Sequence, residues 1–295
     1  MKHSNLPLPL KSFAKVNLYL QVLNKRKDNF HNLSTLFARI DLADTIILKR
    51  RKDSLIKIRC NSRQVPKDRT NLCFRAAALL KQEFNLSFGL EIEIKKRIPV
   101  GAGLGGGSTN AASVLSGLNK YWNLNLPKIK LVKLAAKLGS DVAFFIHDTK
   151  FALGDQRGER IKQLASLGQL KLWFILVYPN IKVSTPLVYQ KFDQFFGLTT
   201  ARYNVKILIS ELSKKGFRVS PEYFFNSLEV VTTRLYPVVN QVKNAFYGMG
   251  LEKVMMSGSG PAVFAICSSQ RQAQDLSGKL RKKYKSWQIF VSSTV

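Results

Sequence analysis

The most informative stretch of this 295-residue chain is Pro99-Val100-Gly101-Ala102-Gly103-Leu104-Gly105-Gly106-Gly107-Ser108-Thr109-Asn110. It places five glycines between positions 101 and 107, after a strand-like segment and before a helical one. Glycine lets the backbone take a positive φ and lets a ligand approach it closely, while the first N–H groups of a helix attract anions. The stretch therefore predicts a phosphate-binding loop. The alternative is packing alone, because glycine-rich turns also allow close contact between segments.

Three known phosphate loops share parts of this pattern. Gly101, Gly103 and Gly106 match the G-x-G-x-x-G pattern of dinucleotide-binding folds, but those folds need an acidic residue about 20 positions later. No Asp or Glu occurs between Lys95 and Ser140. The Walker loop requires Lys where this chain has Gly107. The sequence also lacks the His-Arg-Asp and Asp-Phe-Gly signatures of protein kinases, so the loop fits none of the three.

Three polar residues outside the loop are candidates for the chemistry. Asp141 is the first carboxylate after the loop and precedes an apolar segment, where a helix N-cap is the alternative role. Lys15 and Asn17 lie on an otherwise apolar strand and share one face, because strand side chains alternate. Phosphoryl transfer needs donors and cations around the phosphates and a carboxylate that orients the attacking hydroxyl. The sequence therefore predicts a small-molecule kinase.

The hydrophobic periodicity predicts a fold of mixed strands and helices. Strands are predicted at 16–23, 36–48, 90–94, 172–178 and 263–267, and helices at 71–84, 108–122, 129–138, 205–214 and 228–245. This order indicates an α+β protein of two joined halves. We predict an N-terminal domain over 1–160, which carries the loop, and a C-terminal domain over 161–295.

Composition limits the function classes. The longest apolar run, 172–178, is far shorter than the roughly 20 residues of a membrane span. The first residues offer no signal-peptide core and the cysteines number three, so we expect a cytoplasmic protein without a membrane partner. The net charge of +29 leaves nucleic-acid binding as an alternative. Because the basic residues are spread along the chain, we instead expect a solvated surface that attracts anionic small molecules.

The glycine stretch resembles the ATP loop of the GHMP kinases, which include galactokinase, homoserine kinase, mevalonate kinase and phosphomevalonate kinase. Residues 256–265, Met-Ser-Gly-Ser-Gly-Pro-Ala-Val-Phe-Ala, are similar to the family's third motif, a second glycine turn. Segments at 14–18, 28–37, 138–145, 158–159, 183–186 and 226–229 follow the order found in the family, so the resemblance covers most of the chain. It implies a two-domain GHMP-kinase-like fold with the active site in the cleft between the halves.

The resemblance also implies a role for each candidate. Asp141 is expected to be the catalytic base, and Lys15 to keep it ionised, since a nearby cation lowers the pKa of a carboxyl group. Asn17 is expected to bind the substrate. ATP is the expected cofactor, with Mg²⁺ at Ser108. The residues expected to bind ATP are Asn71, Lys96, Pro99, Gly101, Ala102, Gly103, Leu104, Gly105, Gly106, Gly107, Ser108 and Thr109.

A second set of residues resembles a binding site for the base of a small-molecule substrate that carries a cytidine diphosphate. Phe30 would stack on the base, His31 would bond its edge, and Tyr189, near Thr185, would cover the second face. For each aromatic residue taken alone, core packing is the alternative. The family usually has glycine at the position of Asn29, and we expect this change to be mild because Asn tolerates left-handed backbone geometry better than other non-glycine residues. Another family kinase, of homoserine or mevalonate type, stays open, and we expect a monomer or weak homodimer.

Overall fold

A computed structural model describes residues 7–195 and 201–295. The strands are β1 (Leu8–Lys25), β2 (His31–Arg51), β3 (Ile56–Cys60), β4 (Gly89–Lys95), β5 (Phe151–Gln156), β6 (Arg160–Gln163), β7 (Trp173–Tyr178), β8 (Phe225–Asn226), β9 (Val254–Met256), β10 (Val263–Cys267) and β11 (Gln288–Ser293). The α-helices are α1 (Leu72–Glu83), α2 (Gly106–Tyr121), α3 (Lys128–Leu138), α4 (Ser140–His147), α5 (Thr185–Phe195), α6 (Val205–Lys215), α7 (Glu229–Leu235), α8 (Val238–Tyr247) and α9 (Gln270–Lys283). Short 3₁₀ turns lie at Ala165–Leu167, Gly216–Arg218 and Pro221–Tyr223. The expected α+β class is confirmed.

The chain forms two compact units, and each unit draws on separate segments of sequence. The first unit combines the segment that ends at Ala14 with Ala43–Val100 and Gly105–Thr149. The second combines Lys15–Leu42, Gly101–Leu104 and the described part of Lys150–Val295. The long strands β1 and β2 therefore each contribute to both units. The boundary near residue 160 stays a prediction.

The first unit is a sheet covered by four helices. Strand β4 pairs antiparallel with the second part of β2, from Thr45 opposite Lys95 to Arg51 opposite Gly89, and parallel with β3. Leu90, Ile92 and Ile94 are buried, as the alternation of this strand predicts. Their side chains join a core with the apolar faces of α1, α2, α3 and α4. This packing holds the beginning of α2 at the end of the glycine stretch.

The second unit contains a four-stranded antiparallel sheet in the order β11-β7-β10-β9. The first part of β2 pairs antiparallel with β5, and β1 pairs parallel with β8 through Tyr19 opposite Phe225. A core of aliphatic and aromatic side chains joins β7, β9 and β10 to α5, α7, α8 and α9. Because β9 and β10 are joined by the second glycine turn, this core fixes where that turn lies.

Two predictions about helices need correction. The helix predicted over 228–245 is two helices, α7 and α8, because Pro237 has no N–H group and Tyr236 before it takes φ −134° and ψ 81°. The helix predicted from Ser108 begins at Gly106, so the last glycines of the loop belong to its first turn. Asn29 has φ 62°, in the left-handed region that asparagine tolerates. None of the helices within the described residues is both long and apolar enough for a membrane span.

Candidate active site

Every second residue of the glycine stretch from Gly101 to Gly105 has a positive φ angle, which glycine adopts more readily than other residues. Gly101, Gly103 and Gly105 have φ of 68°, 76° and 71°. Gly105 is the N-cap of α2 and offers no side chain to the cap. A side chain at these positions would strain the backbone. The loop therefore enters α2 with its amide groups uncovered, which suits a ligand with several negative oxygens.

The first part of the loop, Gly101–Leu104, is held within the second unit. The Ala262 N–H donates to the Ala102 carbonyl at 3.2 Å, and the Lys15 N–H donates to the Leu104 carbonyl at 3.1 Å. The Ser257 hydroxyl donates to the Gly103 carbonyl at 3.0 Å. A Cβ on Gly103 would lie 2.1 Å from the Ser257 carbonyl oxygen, whereas a Cβ on Gly101 would meet nothing within 4 Å. Packing therefore requires glycine at 103, and the open space at Gly101 is available to a ligand.

The second glycine turn, residues 257–262, is itself fixed by side chains from other elements. Gly258 and Gly260 have φ of 58° and 82°. The Asn226 side-chain amide donates to the carbonyls of Met256 and Gly258, both at 2.8 Å. Thr232 donates through its hydroxyl to the Ser259 carbonyl. The turn is thus rigid enough to support the loop that it contacts.

Lys15 and Asn17 form a buried pair beside these two turns. Both side chains are nearly inaccessible, and Lys15 Nζ donates to Asn17 Oδ1 at 2.6 Å, so the prediction that they share a face is confirmed. Asn17 Nδ2 donates to the Thr35 hydroxyl at 2.8 Å, and that hydroxyl donates to the Tyr19 carbonyl. Because this chain of bonds orients the Asn17 amide, its oxygen holds the Lys15 ammonium group in one place.

A second buried cation belongs to the first unit. Lys96 Nζ donates to Asp44 Oδ2 at 2.6 Å and to the Ile98 carbonyl at 2.7 Å. A Cβ on Gly106 would lie only 2.9 Å from this ammonium group. The Lys96 side chain is 7% exposed, and the Asp44 side chain is fully buried. The first turn of α2 therefore lies directly against a fixed positive charge.

Asp44 is a residue that the sequence analysis missed. Its Oδ1 accepts hydrogen bonds from the N–H groups of Arg97 and Ile98 at 2.7 and 2.8 Å, while Oδ2 binds Lys96. It therefore fixes both the cation and the backbone that leads into the loop. A carboxylate between Leu42 and Ile46 on an apolar strand is as unusual as Lys15, and the same reasoning applied there would have found it.

Four other candidate residues of the first unit lie at or near the start of a helix. Asn71 is the N-cap of α1, since its Oδ1 accepts from the Cys73 N–H at 2.8 Å. Ser108 is partly buried and Thr109 is buried, both in the first two turns of α2. Asp141 lies in the first turn of α4, whose N-cap is Gly139, so the N-cap alternative for Asp141 is wrong. A carboxylate in this position is stabilised by the helix dipole.

The residues predicted to bind the base lie in the second unit. Phe30 is 53% exposed, which rules out core packing, and the Arg157 guanidinium lies 5.1 Å from its ring centre. The His31 ring is buried and stacks on Tyr189, with ring centres 5.1 Å apart. The Thr185 hydroxyl lies 2.7 Å from that of Ser259 in the second glycine turn. The structure thus brings His31 and Tyr189 together and connects Thr185 to that turn.

A preformed metal site is absent from the described part of the chain, where no three His, Cys, Asp or Glu residues gather in a way that would hold an ion.

Two family models match the chain. The GHMP kinases N terminal domain matches residues 71–149, and the GHMP kinases C terminal model matches residues 208–286. The chain belongs to the GHMP kinase family, which agrees with the two glycine turns and the buried lysines.

Relatives within the family share a more particular name. A 4-diphosphocytidyl-2-C-methyl-D-erythritol kinase of Bacillus pumilus is 39% identical over 271 residues, which cover 92% of each chain. A crystal structure of 4-(cytidine 5'-diphospho)-2C-methyl-D-erythritol kinase has a TM-score of 0.80 at 32% identity, covering 97% of this chain and 98% of that one. Homoserine kinase from Cytophaga hutchinsonii, at 17% identity and a TM-score of 0.69 over 100% and 96% of the chains, shares the fold.

Alanine substitutions at Gly101 and Gly103 should lower the free energy of unfolding by different amounts. Gly101→Ala should lower the free energy of unfolding by ~1 to 2 kcal/mol, the cost of a left-handed residue with a side chain. Gly103→Ala should cost a further ~1 to 3 kcal/mol, because its Cβ must push the Ser257 carbonyl away. Urea unfolding of both variants measures the difference. Equal losses would contradict the packing role of Gly103.

Removal of the Asp44 carboxylate should be severe. Asp44→Ala leaves the buried Lys96 charge and two backbone N–H groups without their acceptor, and breaking such a buried pair costs about 3 to 5 kcal/mol. The control is Asp53→Ala, which removes an exposed carboxylate paired with Arg51 and should cost a small fraction of that. Thermal and urea unfolding test this prediction, and similar losses for the two variants would count against it.

Proposed function

We propose that the chain transfers the γ-phosphoryl group of ATP to the C2 hydroxyl of 4-diphosphocytidyl-2-C-methyl-D-erythritol. The products are the 2-phosphate and ADP, in the non-mevalonate, or methylerythritol phosphate, route to isoprenoid precursors. The observation that carries this proposal is the 39% identity, over 92% of both chains, to a relative named for this kinase activity. The loop geometry supports it independently, since it suits a polyphosphate rather than an uncharged ligand.

The ATP phosphates bind along the residues from Pro99 to Thr109. The glycines leave the loop amides uncovered, and the N-terminus of α2 adds its partial positive charge. Lys96 adds a hydrogen-bond donor beneath Gly106, where Asp44 holds its ammonium group and balances most of its charge. Asn71, the cap of the neighbouring helix α1, bounds the adenosine end together with Lys96. Preorganised donors of this kind stabilise charge without needing to reorient during the reaction.

The phosphoryl transfer itself depends on two residues. Asp141 orients the substrate hydroxyl and accepts its proton. Lys15, held by Asn17, stabilises negative charge on the transferred group. A lysine that is already fixed in place loses less side-chain entropy when the substrate binds. Asn17 has a further N–H and lone pair with which to contact the substrate.

Mg²⁺ accompanies ATP in this proposal. When bound, the ion neutralises charge on the phosphate oxygens. The Ser108 hydroxyl, at the start of α2, is the protein ligand we propose. We propose that its other ligands come from the nucleotide phosphates and water, as is usual for Mg²⁺ bound with a substrate phosphate.

The cytidine end of the substrate binds at Phe30, His31, Thr185 and Tyr189. The exposed ring of Phe30 offers an aromatic surface to the base. His31 supplies a nitrogen to the base edge, and Tyr189 supports the His31 ring from one side. Thr185 lies beside the second glycine turn, where it contacts the diphosphate end.

Two other functions are less favoured. A homoserine or mevalonate kinase would share the fold, but the fold is all that 17% identity to a homoserine kinase supports. Nucleic-acid binding has only the charge of +29 in its favour. We propose that the enzyme acts in the cytoplasm on a small molecule, with no nucleic-acid or membrane partner, as a monomer or weak homodimer.

An ADP-release screen tests the function. Purified protein is given MgATP with the cytidine-diphosphate substrate, homoserine or mevalonate in separate reactions. We expect release of ADP with the first substrate only. Turnover of homoserine or mevalonate instead would overturn the proposal, and binding to DNA or RNA that falls steeply between two salt concentrations, without ADP release, would favour the alternative class.

Asp141→Asn should remove most of the turnover and leave ATP binding intact. Loss of a positioned acid-base group typically costs about 10²- to 10⁴-fold in rate. The matched control is Asp148→Asn at the C-terminal end of the same helix, where asparagine tolerates the left-handed backbone (φ 52°). Steady-state kinetics and ATP binding are measured for both variants. Near-normal turnover for Asp141→Asn would reject Asp141 as the base.

Phe30→Ala should raise the KM for the cytidine substrate and leave the KM for ATP nearly unchanged. Stacking of a base on an aromatic ring is worth ~1 to 3 kcal/mol, which corresponds to roughly 5- to 150-fold in KM. Phe30→Tyr is the control and should be nearly neutral, because it keeps the ring face. Since Phe30 is exposed, the melting temperature should change little. An unchanged cytidine KM would exclude Phe30 from the base site.

A further inference from the structure

Asp193 contacts one nitrogen of the His31 ring. In the proposed site, the other nitrogen faces the base. His31 Nε2 and Asp193 Oδ1 are 2.6 Å apart. Asp193 is on α5, one helical turn beyond Tyr189, so one face of this helix supplies both the carboxylate and the ring that stacks on His31. The orientation of the buried His31 ring is therefore fixed by two contacts from α5.

The second carboxylate oxygen of Asp193 has its own partner. Lys25 Nζ donates to Asp193 Oδ2 at 2.7 Å. Burial acts to raise the pKa of the Asp193 carboxyl, but the hydrogen bonds from Lys25 and His31 outweigh it and bring the pKa below its ordinary value. Asp193 is thus ionised and can only accept hydrogen bonds.

An ionised Asp193 determines which nitrogen of His31 carries the proton. Oδ1 must accept from Nε2–H, because two acceptors at 2.6 Å would repel each other. In the neutral imidazole ring the single proton therefore sits on Nε2, and Nδ1 keeps a lone pair.

We propose that Asp193 makes His31 Nδ1 a hydrogen-bond acceptor and thereby selects an amino-pyrimidine over its keto counterpart. This inference rests on the proposed function, in which His31 faces the base edge. The 4-amino group of cytosine donates a hydrogen bond to such an acceptor, whereas the 4-keto oxygen of uracil opposes it with a second acceptor. A site built for one hydrogen-bonding pattern rejects the other, because buried polar groups are then left unpaired. Asp193 is a positioning residue that sets the specificity of the site.

Asp193→Asn is the variant that tests this. Lys25 holds the oxygen of the new amide, so the NH₂ group turns toward His31 Nε2 and donates to it. His31 must then carry its proton on Nδ1, which becomes a donor. The preference of kcat/KM for the cytidine substrate over its uridine analogue should fall by roughly 10-fold or more. Asp275→Asn, an exposed carboxylate on α9, is the charge-matched control and should keep the wild-type ratio.

The ratio of kcat/KM for the two substrates separates a role of Asp193 in positioning the His31 proton from a general structural effect. Loosening of α5 would lower activity on both substrates together and lower the melting temperature. Such loosening would not change the ratio of kcat/KM for the cytidine substrate to kcat/KM for its uridine analogue. Loss of activity on both substrates with an unchanged ratio would therefore overturn the inference.

Nitrogen NMR provides a readout that needs no substrate. The chain has three histidines, so [¹⁵N]histidine labelling at about pH 8 gives few signals, and His31→Gln assigns the one of interest. We expect the Nε2–H tautomer in the wild type and the Nδ1–H tautomer in Asp193→Asn. A wild-type Nδ1–H tautomer, or the same tautomer in both proteins, would overturn the inference.

Failure of the proposed function is recognised separately. If the wild type releases no ADP with the cytidine substrate, the kinase assignment fails. The inference then depends on titration of CDP against UDP into the wild type and Asp193→Asn. A wild-type preference for CDP that the variant loses supports it, and equal binding of CDP and UDP by the wild type overturns it.

Discussion

The close approach of the Gly103 backbone to Ser257 holds the two glycine turns of the second unit together. The two glycine turns are joined there by a hydroxyl–carbonyl bond of 3.0 Å, with no room for a Cβ between them. The glycines of the loop have no side chains that could fix their backbone conformation. Its shape must come from a partner segment, which here is fixed in turn by Asn226 and Thr232. The loop can therefore be rigid and uncovered at once.

The two buried lysines are held in place by different acceptors. Lys96 is paired with the Asp44 carboxylate, so the charges of the pair largely balance. Lys15 donates to the neutral amide oxygen of Asn17, which fixes the position of its ammonium group. Both depend on acceptors held by further hydrogen bonds.

Local patterns in the sequence were sufficient for much of the fold and part of the site. The alternation at Leu90–Ile94, the shared face of Lys15 and Asn17, and the left-handed Asn29 each follow from the geometry of neighbouring residues. The break at Pro237 was also readable, since the residue before proline avoids helical geometry. Asp44 and Asp193 could not be assigned partners this way. Their contacts join residues 52 and 162 positions apart, and no period or spacing in a single sequence reports such distances.

The passage of β1 and β2 through both compact units has a consequence for how the protein is made. Every segment of the first unit has been translated once Thr149 leaves the ribosome, so that unit can fold early. The segment from Lys15 to Leu42 stays incomplete for longer, because its partners β5 and β8 are synthesised later. Strands β1 and β2 can already pair with each other, but the core that Leu20 and Val22 join is formed largely by residues after Lys150. The nascent chain therefore exposes apolar residues of this segment after the first unit is able to fold, and such exposed segments are prone to aggregate.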